Sequence, residues 1–478
     1  MPSTREAGLR LVAEGGLYTF GLFAVRAGNF LLLPLYLSLL DPSAYGAFGV
    51  VRQLVAVLVP LAVAGQAHSV LRLVVDLETE GPEAPRRLIR SVVGWVLGAT
   101  VVLAGLAAAA WPLLRDWVDG VPLWPLGIAG LALAAGQGLF NVVQVWLQSK
   151  RRAREHTLLS VARLALLVAG VGIGVVWLQG GATGLLLAMA ASFGGVALVA
   201  LPLVLRGLPT IHGPTLRASL AYGLPLLPHG LATVLFAATG QVLLAADGLS
   251  QAGTYLLATQ LGAVVSMVGV GVQKAWAPFF LREDRDRADG GWERVRVLSF
   301  FSLLAVAAVT VAVGLLGPEL VALAGLFSAD DWSAAGPVVA VLAFAALVRS
   351  YYLVALTVVL ANKATARWLA AVTLPAAALN VGLTVAWIPQ WGMAGAAWAT
   401  VVAWGATAAA TAVLARTARA VPFKYGRGVL LLGLTAGALA LGADGSLVLR
   451  LGVLGGWLVA AFALDAGDLL RSWRSLRS

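Results

Sequence analysis

The chain has 478 residues, 60% hydrophobic and 12% charged, with a mean hydropathy of +0.90, whereas a soluble domain carries about 25% charged residues. These proportions exclude a water-soluble globular protein, whose polar surface so few charges cannot supply. The absence of cysteine excludes disulfide frameworks, thiolate metal sites and cysteine nucleophiles, and the formal charge of +11 takes its meaning from where Lys and Arg lie.

Apolar runs of at least about 18 residues read as membrane helices. They predict spans over 15–40, 46–72, 91–114, 123–148, 157–178, 184–205, 219–245, 254–281, 297–317, 335–361, 367–388, 393–415, 428–442 and 447–466. The expected fold is an all-α polytopic membrane protein of about 14 transmembrane helices; the thirteenth run is short, so twelve or thirteen spans stand as alternatives. No small-residue cleavage site follows the first run, and span 1 is expected to be retained.

Lys and Arg gather in alternate loops, in clusters such as Arg86, Arg87 and Arg90, then Lys150, Arg151, Arg152 and Arg154, then Arg416, Arg419, Lys424 and Arg427. The opposite loops hold only Arg115. The positive-inside rule then places both termini in the cytoplasm, which agrees with an even number of spans. The basic excess thus reads as topology and attraction to anionic lipid rather than nucleic-acid binding. The longest loops, near 76–90 and 282–296, are far shorter than the roughly 50 residues of a folded domain, so no soluble catalytic domain is attached.

Self-comparison finds a repeat at an offset of about 210 residues. Gly170 to Leu178 aligns without gaps on Asn380 to Ile388, matching Val171, Gly172, Val175 and Trp177 with Val381, Gly382, Val385 and Trp387. One inserted residue later, Gly181 and Gly184 meet Gly392 and Gly395, and earlier Gly46, Phe48 and Gln53 meet Gly253, Tyr255 and Gln260 by position, with the Gln-Leu pair of 53–54 falling on 260–261. Helices rich in Gly, Val and Ala resemble one another by composition, but the shared Trp followed by Gly-x-x-Gly favours duplication. The organisation expected is an N-terminal lobe over 1–206, a cytoplasmic connection over 207–218, a second lobe over 219–415, two further helices over 428–466 and a cytoplasmic tail over 467–478. Parallel repeats of this kind place substrate near mid-membrane at the repeat interface.

A charge at the centre of a span costs about 2.5 to 3.5 kcal/mol on insertion scales, so it is expected to face protein or water. Those found are nearly all cationic. Arg26 and Arg349 are central in spans 1 and 10, Arg52, Arg72, Arg163 and Lys274 lie nearer span ends, where snorkelling to the interface is the alternative, and no Asp or Glu lies deep in a span. In span 4, Gln137, Asn141, Gln144 and Gln148 share one helical face, which suits a hydrated path or interhelical hydrogen bonding. In span 7, His229 is either a ligand group or a packing histidine, and Pro225 and Pro228 interrupt the ladder as hinge candidates or passive kinks. A cavity of Arg and amides without carboxylates suits an anionic, hydroxyl-rich ligand, since Arg grips phosphate through charge-assisted bidentate bonds. No catalytic residue, metal site or cofactor is expected.

Leu33-Pro-Leu-Tyr36 before Tyr45-Gly46, Tyr222-Gly-Leu-Pro-Leu-Leu-Pro228, Ala275-Trp-Ala-Pro-Phe279, and Asn380 through Pro389 with Gly392-Met-Ala-Gly-Ala-Ala397 occur in an order that resembles the polysaccharide transporter branch of the multidrug/oligosaccharidyl-lipid/polysaccharide exporter superfamily, which includes the O-antigen (Wzx-type) flippases. Where many members carry Asp-Arg late in span 7, this chain has Gly240-Gln241, which withholds any inference about coupling from that pair. The resemblance implies a two-lobed, V-shaped flippase of the bacterial inner membrane. It would move undecaprenyl-pyrophosphate-linked oligosaccharide to the outer leaflet, with polysaccharide polymerase and glycosyltransferases as partners. A peptidoglycan lipid II flippase, an ion-coupled drug exporter and, from the enzyme class, a membrane polymerase or glycosyltransferase are the competing readings. The last would use outer-loop groups such as Asp330 and Asp331, which read far more readily as a solvated turn.

Overall fold

The computed structural model describes residues 28–464 apart from 29, 287–290, 420 and 422, and the described residues contain helices and no strand. In chain order the helices are α1 (Leu33–Leu39), α2 (Pro42–Val63), α3 (Gln66–Leu77), α4 (Glu83–Trp117), α5 (Ile128–Ser149), α6 (Ala153–Val171), α7 (Gly181–Leu205), α8 (Gly213–Gly223), α9 (Leu227–Asp247), α10 (Leu249–Asp286), α11 (Gly291–Leu315), α12 (Gly317–Ala324), α13 (Ala335–Leu360), α14 (Leu369–Ala418), α15 (Tyr425–Gly442) and α16 (Leu447–Ala463). Among the described residues, eleven helices are long and apolar enough to cross a membrane, with α14 counted once and α16 a shorter apolar helix. The chain is a multi-pass membrane protein, and the polytopic helical architecture expected from the hydropathy pattern is the one observed. Spans 11 and 12 lie together in α14, bent at Gly392.

Helix ends follow local chemistry. Asp41 caps α2, its carboxylate accepting the Ala44 N–H at 2.9 Å, with Pro42 at the first helical position. The left-handed residues Ala64 and Gly65 close it. Inside the apolar helices, hydroxyls find acceptors one turn back: Thr310 donates to the Val306 carbonyl at 2.8 Å and Thr407 to that of Ala403 at 2.7 Å, because hydrocarbon offers them nothing else. Only 17% of the most apolar window of α4 is buried, against 72% for the helix over Leu123–Ser149. Val101 of α4 is 72% exposed, a cost in water that vanishes against lipid, so α4 faces lipid and α5 is interior.

The chain divides into two compact units, residues 1–253 with Phe327–Ala329, and Thr254–Leu326 with the remainder from Asp330. In the first, α5 packs on α7 and α2, and α9 on α2. In the second, α13 packs on α14 and α11, and α15 on α11. There Arg450 of α16 donates to both carboxylate oxygens of Glu319 on α12, at 2.8 and 3.0 Å.

Two pairs of glycines aligned in the sequence share backbone features. Gly181 and Gly392, set on one another by the alignment, have φ of +52° and +54°. With ψ of −130° at Gly392, that backbone is one glycine alone adopts readily. Gly46 and Gly253, also aligned, approach reciprocally within the first unit. A Cβ on Gly46 would stand 1.9 Å from the Leu249 carbonyl oxygen, and one on Gly253 1.9 Å from that of Pro42. Residues 42 and 249 are spaced as are 46 and 253, so each helix start makes the same contact with the other, the pattern of a local two-fold.

Overpacking costs about 1 to 3 kcal/mol and sometimes more. Gly46→Ala and Gly253→Ala are therefore expected to melt several degrees below the parent in detergent. Gly271→Ala and Gly433→Ala, where an added Cβ meets nothing within 4 Å, should melt at or above it. Indistinguishable melting of all four variants would contradict the close approach.

Candidate functional site

Two arginines of the first unit converge on one tyrosine. Arg163 of α6 is 4% exposed, the only charged side chain in the buried class among the described residues. Its guanidinium carbon lies 4.5 Å from the ring centroid of Phe193 on α7. Arg52 of α2 is half-buried, with its guanidinium 6.0 Å from the Phe48 ring. Both are within electrostatic reach of the buried Tyr36 hydroxyl on α1. Neither arginine has a carboxylate or hydrogen-bond partner among the described residues. Phe193 is steadied by Phe140 of α5, edge to face at 5.4 Å.

The second unit carries a comparable arrangement. The half-buried Arg349 of α13 stands 5.4 Å over the ring of Trp404 on α14, and Trp404 also packs on the buried Tyr352 at 5.5 Å. The register that sets Gly181 on Gly392 also sets Phe193 on Trp404. Aromatics aligned in the sequence comparison thus each bear an arginine, supplied from α6 in one unit and α13 in the other. A guanidinium stacked on a ring keeps its edge N–H donors and its charge, so it can grip a phosphate oxygen pair bidentately. No Asp or Glu among the described residues belongs to the buried class.

The other predicted residues are dispersed. Arg26 lies outside the described residues. Arg72 is exposed and pairs with Asp76 at 3.2 Å, one helical turn on, and Lys274 of α10 is exposed. The amide face of α5 divides: Gln144 Nε2 donates to Ser160 Oγ of α6 at 2.7 Å, an interhelical tie. Asn141 borders a small cavity with Gln66, Gln137 is half-buried, and Gln148 is exposed. His229 is half-buried in the first turn of α9. Pro225 sits in the 3₁₀ turn Leu224–Leu226 and Pro228 in the first turn of α9, so the two mark the break between α8 and α9. That break lies against another, since the Gly223 backbone touches Ala64 and Gly65 between α2 and α3.

Phe193 and Trp404 were not singled out in the sequence, and Tyr36 stood there only as the last residue of the Leu33-Pro-Leu-Tyr36 motif. The repeat register, extended along span 6, would have paired the first two. In the second unit an apolar cavity of about 260 Å³ lies between α11, α13, α14 and α15, with Lys424 in its lining beside Phe300 and Tyr425. Among the described residues no group of three His, Asp or Glu is placed to hold a metal ion. In the loop between α12 and α13, the exposed Asp331 accepts the Ser333 N–H at 2.8 Å, and that bond holds its carboxyl below the usual carboxylate range. A general acid needs the opposite shift.

No family model and no curated protein matches the chain. Solved structures do. The lipid II flippase MurJ in an inward closed conformation superposes with a TM-score of 0.72 at 12% identity, covering 95% of this chain and 99% of that one. An inward-facing multidrug resistance MATE family transporter of the MOP superfamily gives 0.64 at 15% identity over 85% and 95%. A MOP superfamily transporter from Pyrococcus furiosus, described as having a binding pocket of reverse polarity, gives 0.55 at 16% over 86% and 94%. The protein has the fold of these transporters.

Cation–π contacts shielded from water are worth about 0.5 to 2 kcal/mol. A double-mutant cycle of Arg163→Met and Phe193→Leu, read by thermal unfolding, should return a coupling in that range. Additive effects would show that the ring does not support the guanidinium.

Proposed function

We propose that the protein is a flippase that carries a polyprenyl-pyrophosphate-linked oligosaccharide across the inner membrane by alternating access. The cargo is an undecaprenyl-linked O-antigen or exopolysaccharide repeat unit, moved from the cytoplasmic to the outer leaflet. The observation that carries this reading is the buried Arg163, backed by the Phe193 ring and without a carboxylate partner among the described residues, with Arg349 backed by Trp404 as the comparable pair of the second unit. Arg163 and Arg52 of the first unit, Arg349 of the second, and Arg26 are the residues we assign to the pyrophosphate. Gln137 and Asn141 serve the hydrated sugar path, and the lipid chain stays in hydrocarbon. Both termini are cytoplasmic, the basic loops being held inside. Glycosyltransferases that build the unit and a polymerase that consumes it are the partners of such a cargo.

The likeness in fold to MurJ favours a second reading, a lipid II flippase, which uses the same charge logic. The likeness to MATE transporters brings in drug export, but an organic cation calls for a buried carboxylate. A polymerase or transferase working through Asp331 is disfavoured by an exposed carboxyl that stays ionised to unusually low pH.

Charge-assisted hydrogen bonds contribute about 1.5 to 3 kcal/mol each. In proteoliposomes carrying a fluorescent pyrophosphate-linked oligosaccharide, Arg163→Gln and Arg349→Gln should each slow flipping by about ten- to a hundredfold while melting near the parent; unchanged rates would sink the assignment. Comparing that cargo with lipid II in the same vesicles separates the two flippase readings.

Two negative charges moving outward down an inside-negative potential gain roughly 4 to 5 kcal/mol per 100 mV. A potassium diffusion potential of that sign should therefore drive accumulation of cargo in the outer leaflet, and the opposite potential should suppress it. Insensitivity to potential would rule out this source of drive.

A further inference from the structure

We propose that the groove at the membrane-surface ends of α4, α5 and α7 is a binding site for the headgroup of an anionic phospholipid. Its volume is about 550 Å³, more than one phosphate needs. Its lining carries Arg86, Lys150, Arg152 and Arg206, with Glu78 the carboxylate among them, together with the apolar Pro85, Trp146, Leu203 and Val204. Leu203 is 75% exposed, and Leu208 and Ile211, a few residues on in the chain, are exposed too. A soluble anion has no use for those apolar residues, whereas a phospholipid uses both kinds: its phosphate on the cations and its acyl chains along exposed apolar groups such as Leu203.

The cations are held in place rather than merely present. Arg206 ends α7 at a φ of +47°, and Arg90 fixes that end by donating to the Leu205 carbonyl at 3.1 Å and the Arg206 carbonyl at 2.8 Å. The strand of loop that follows is pinned where the His212 N–H donates to Ser91 Oγ at 2.9 Å. Lys150 Nζ lies 4.9 Å over the buried Trp146 ring and 2.7 Å from Glu78. Arg86 pairs with Glu83, and Arg152 lies 4.0 Å from Glu155. Exposed pairs of this kind hold weakly, so phosphate oxygens can displace the carboxylates. Arg206 has no carboxylate partner among the described residues. The groove lies outside the proposed cargo residues, and its occupancy does not depend on what the protein transports.

The test uses the full chain in detergent, titrated with cardiolipin, phosphatidylglycerol, phosphatidylcholine and inorganic phosphate, with bound lipid counted by native mass spectrometry. The two anionic lipids should bind and phosphatidylcholine should not. Each basic residue near an anionic headgroup contributes roughly a fivefold factor, so Arg152→Gln with Arg206→Gln should weaken binding by about tenfold or more. Arg87→Gln with Arg151→Gln, exposed on the same surface but outside the groove lining, should leave binding unchanged. Equal losses in both pairs would show diffuse attraction and overturn the site, as would equal binding of phosphatidylcholine or competition by millimolar phosphate. Should the first pair fail to fold, Arg206→Lys, which keeps the charge but removes the bidentate fork, should still weaken binding severalfold; parent-like affinity there would likewise count against the site.

Discussion

Hydrocarbon neither donates nor accepts a hydrogen bond and does not solvate charge, and the arrangement of this protein answers that constraint at each level. Backbone groups are satisfied within helices, hydroxyls such as those of Thr310 and Thr407 turn back on their own carbonyls, and Gln144 finds a serine on the neighbouring helix. Apolar side chains escape the constraint and so face outward, as Val101 and Leu203 do. What is left for the interior is close backbone packing through small residues, because burying apolar groups gains little when the solvent is itself apolar.

That packing explains why glycine carries so much of the architecture. At Gly46 and Gly253 two helix starts meet with carbonyl oxygens where a Cβ would stand, and at Gly392 the chain turns through a conformation closed to other residues. The first approach is reciprocal, each glycine facing the carbonyl at the start of the other helix, and the residue aligned with Gly392, Gly181, also has a positive φ. A glycine needed at one helix start is thus needed at the other.

Much of the fold was legible because its signals are local. Apolar runs predicted the helices to within a few residues at α5, α7, α13 and α16, and the repeat register was visible in Trp177 and Trp387. The site was less legible, since what an arginine rests on is set by packing between helices far apart in sequence. Arg163 read as a span-end cation that might snorkel, yet it is deeply buried because Phe193 lies across from it. Arg72, grouped with it by sequence, has a solvent route and an acid one turn away. The amide face of α5 misled in part for the same reason: periodicity places Gln144 on the stripe, but only the neighbour's Ser160 decides that its amide is used for helix pairing.

The choice of ring over carboxylate as the support for a buried arginine has a chemical consequence. A carboxylate would offset more of the desolvation penalty but would cancel the charge and occupy the N–H edge that recognises phosphate. An aromatic face offsets less, leaves the edge open, and is indifferent to pH. For Arg163, which has no carboxylate partner among the described residues, the anionic headgroup of the proposed cargo would supply the counter-ion. In the proposed role, binding would relieve a cost already present in the fold at Arg163 on Phe193, and a guanidinium that stays charged at every physiological pH needs no titrating group to gate it.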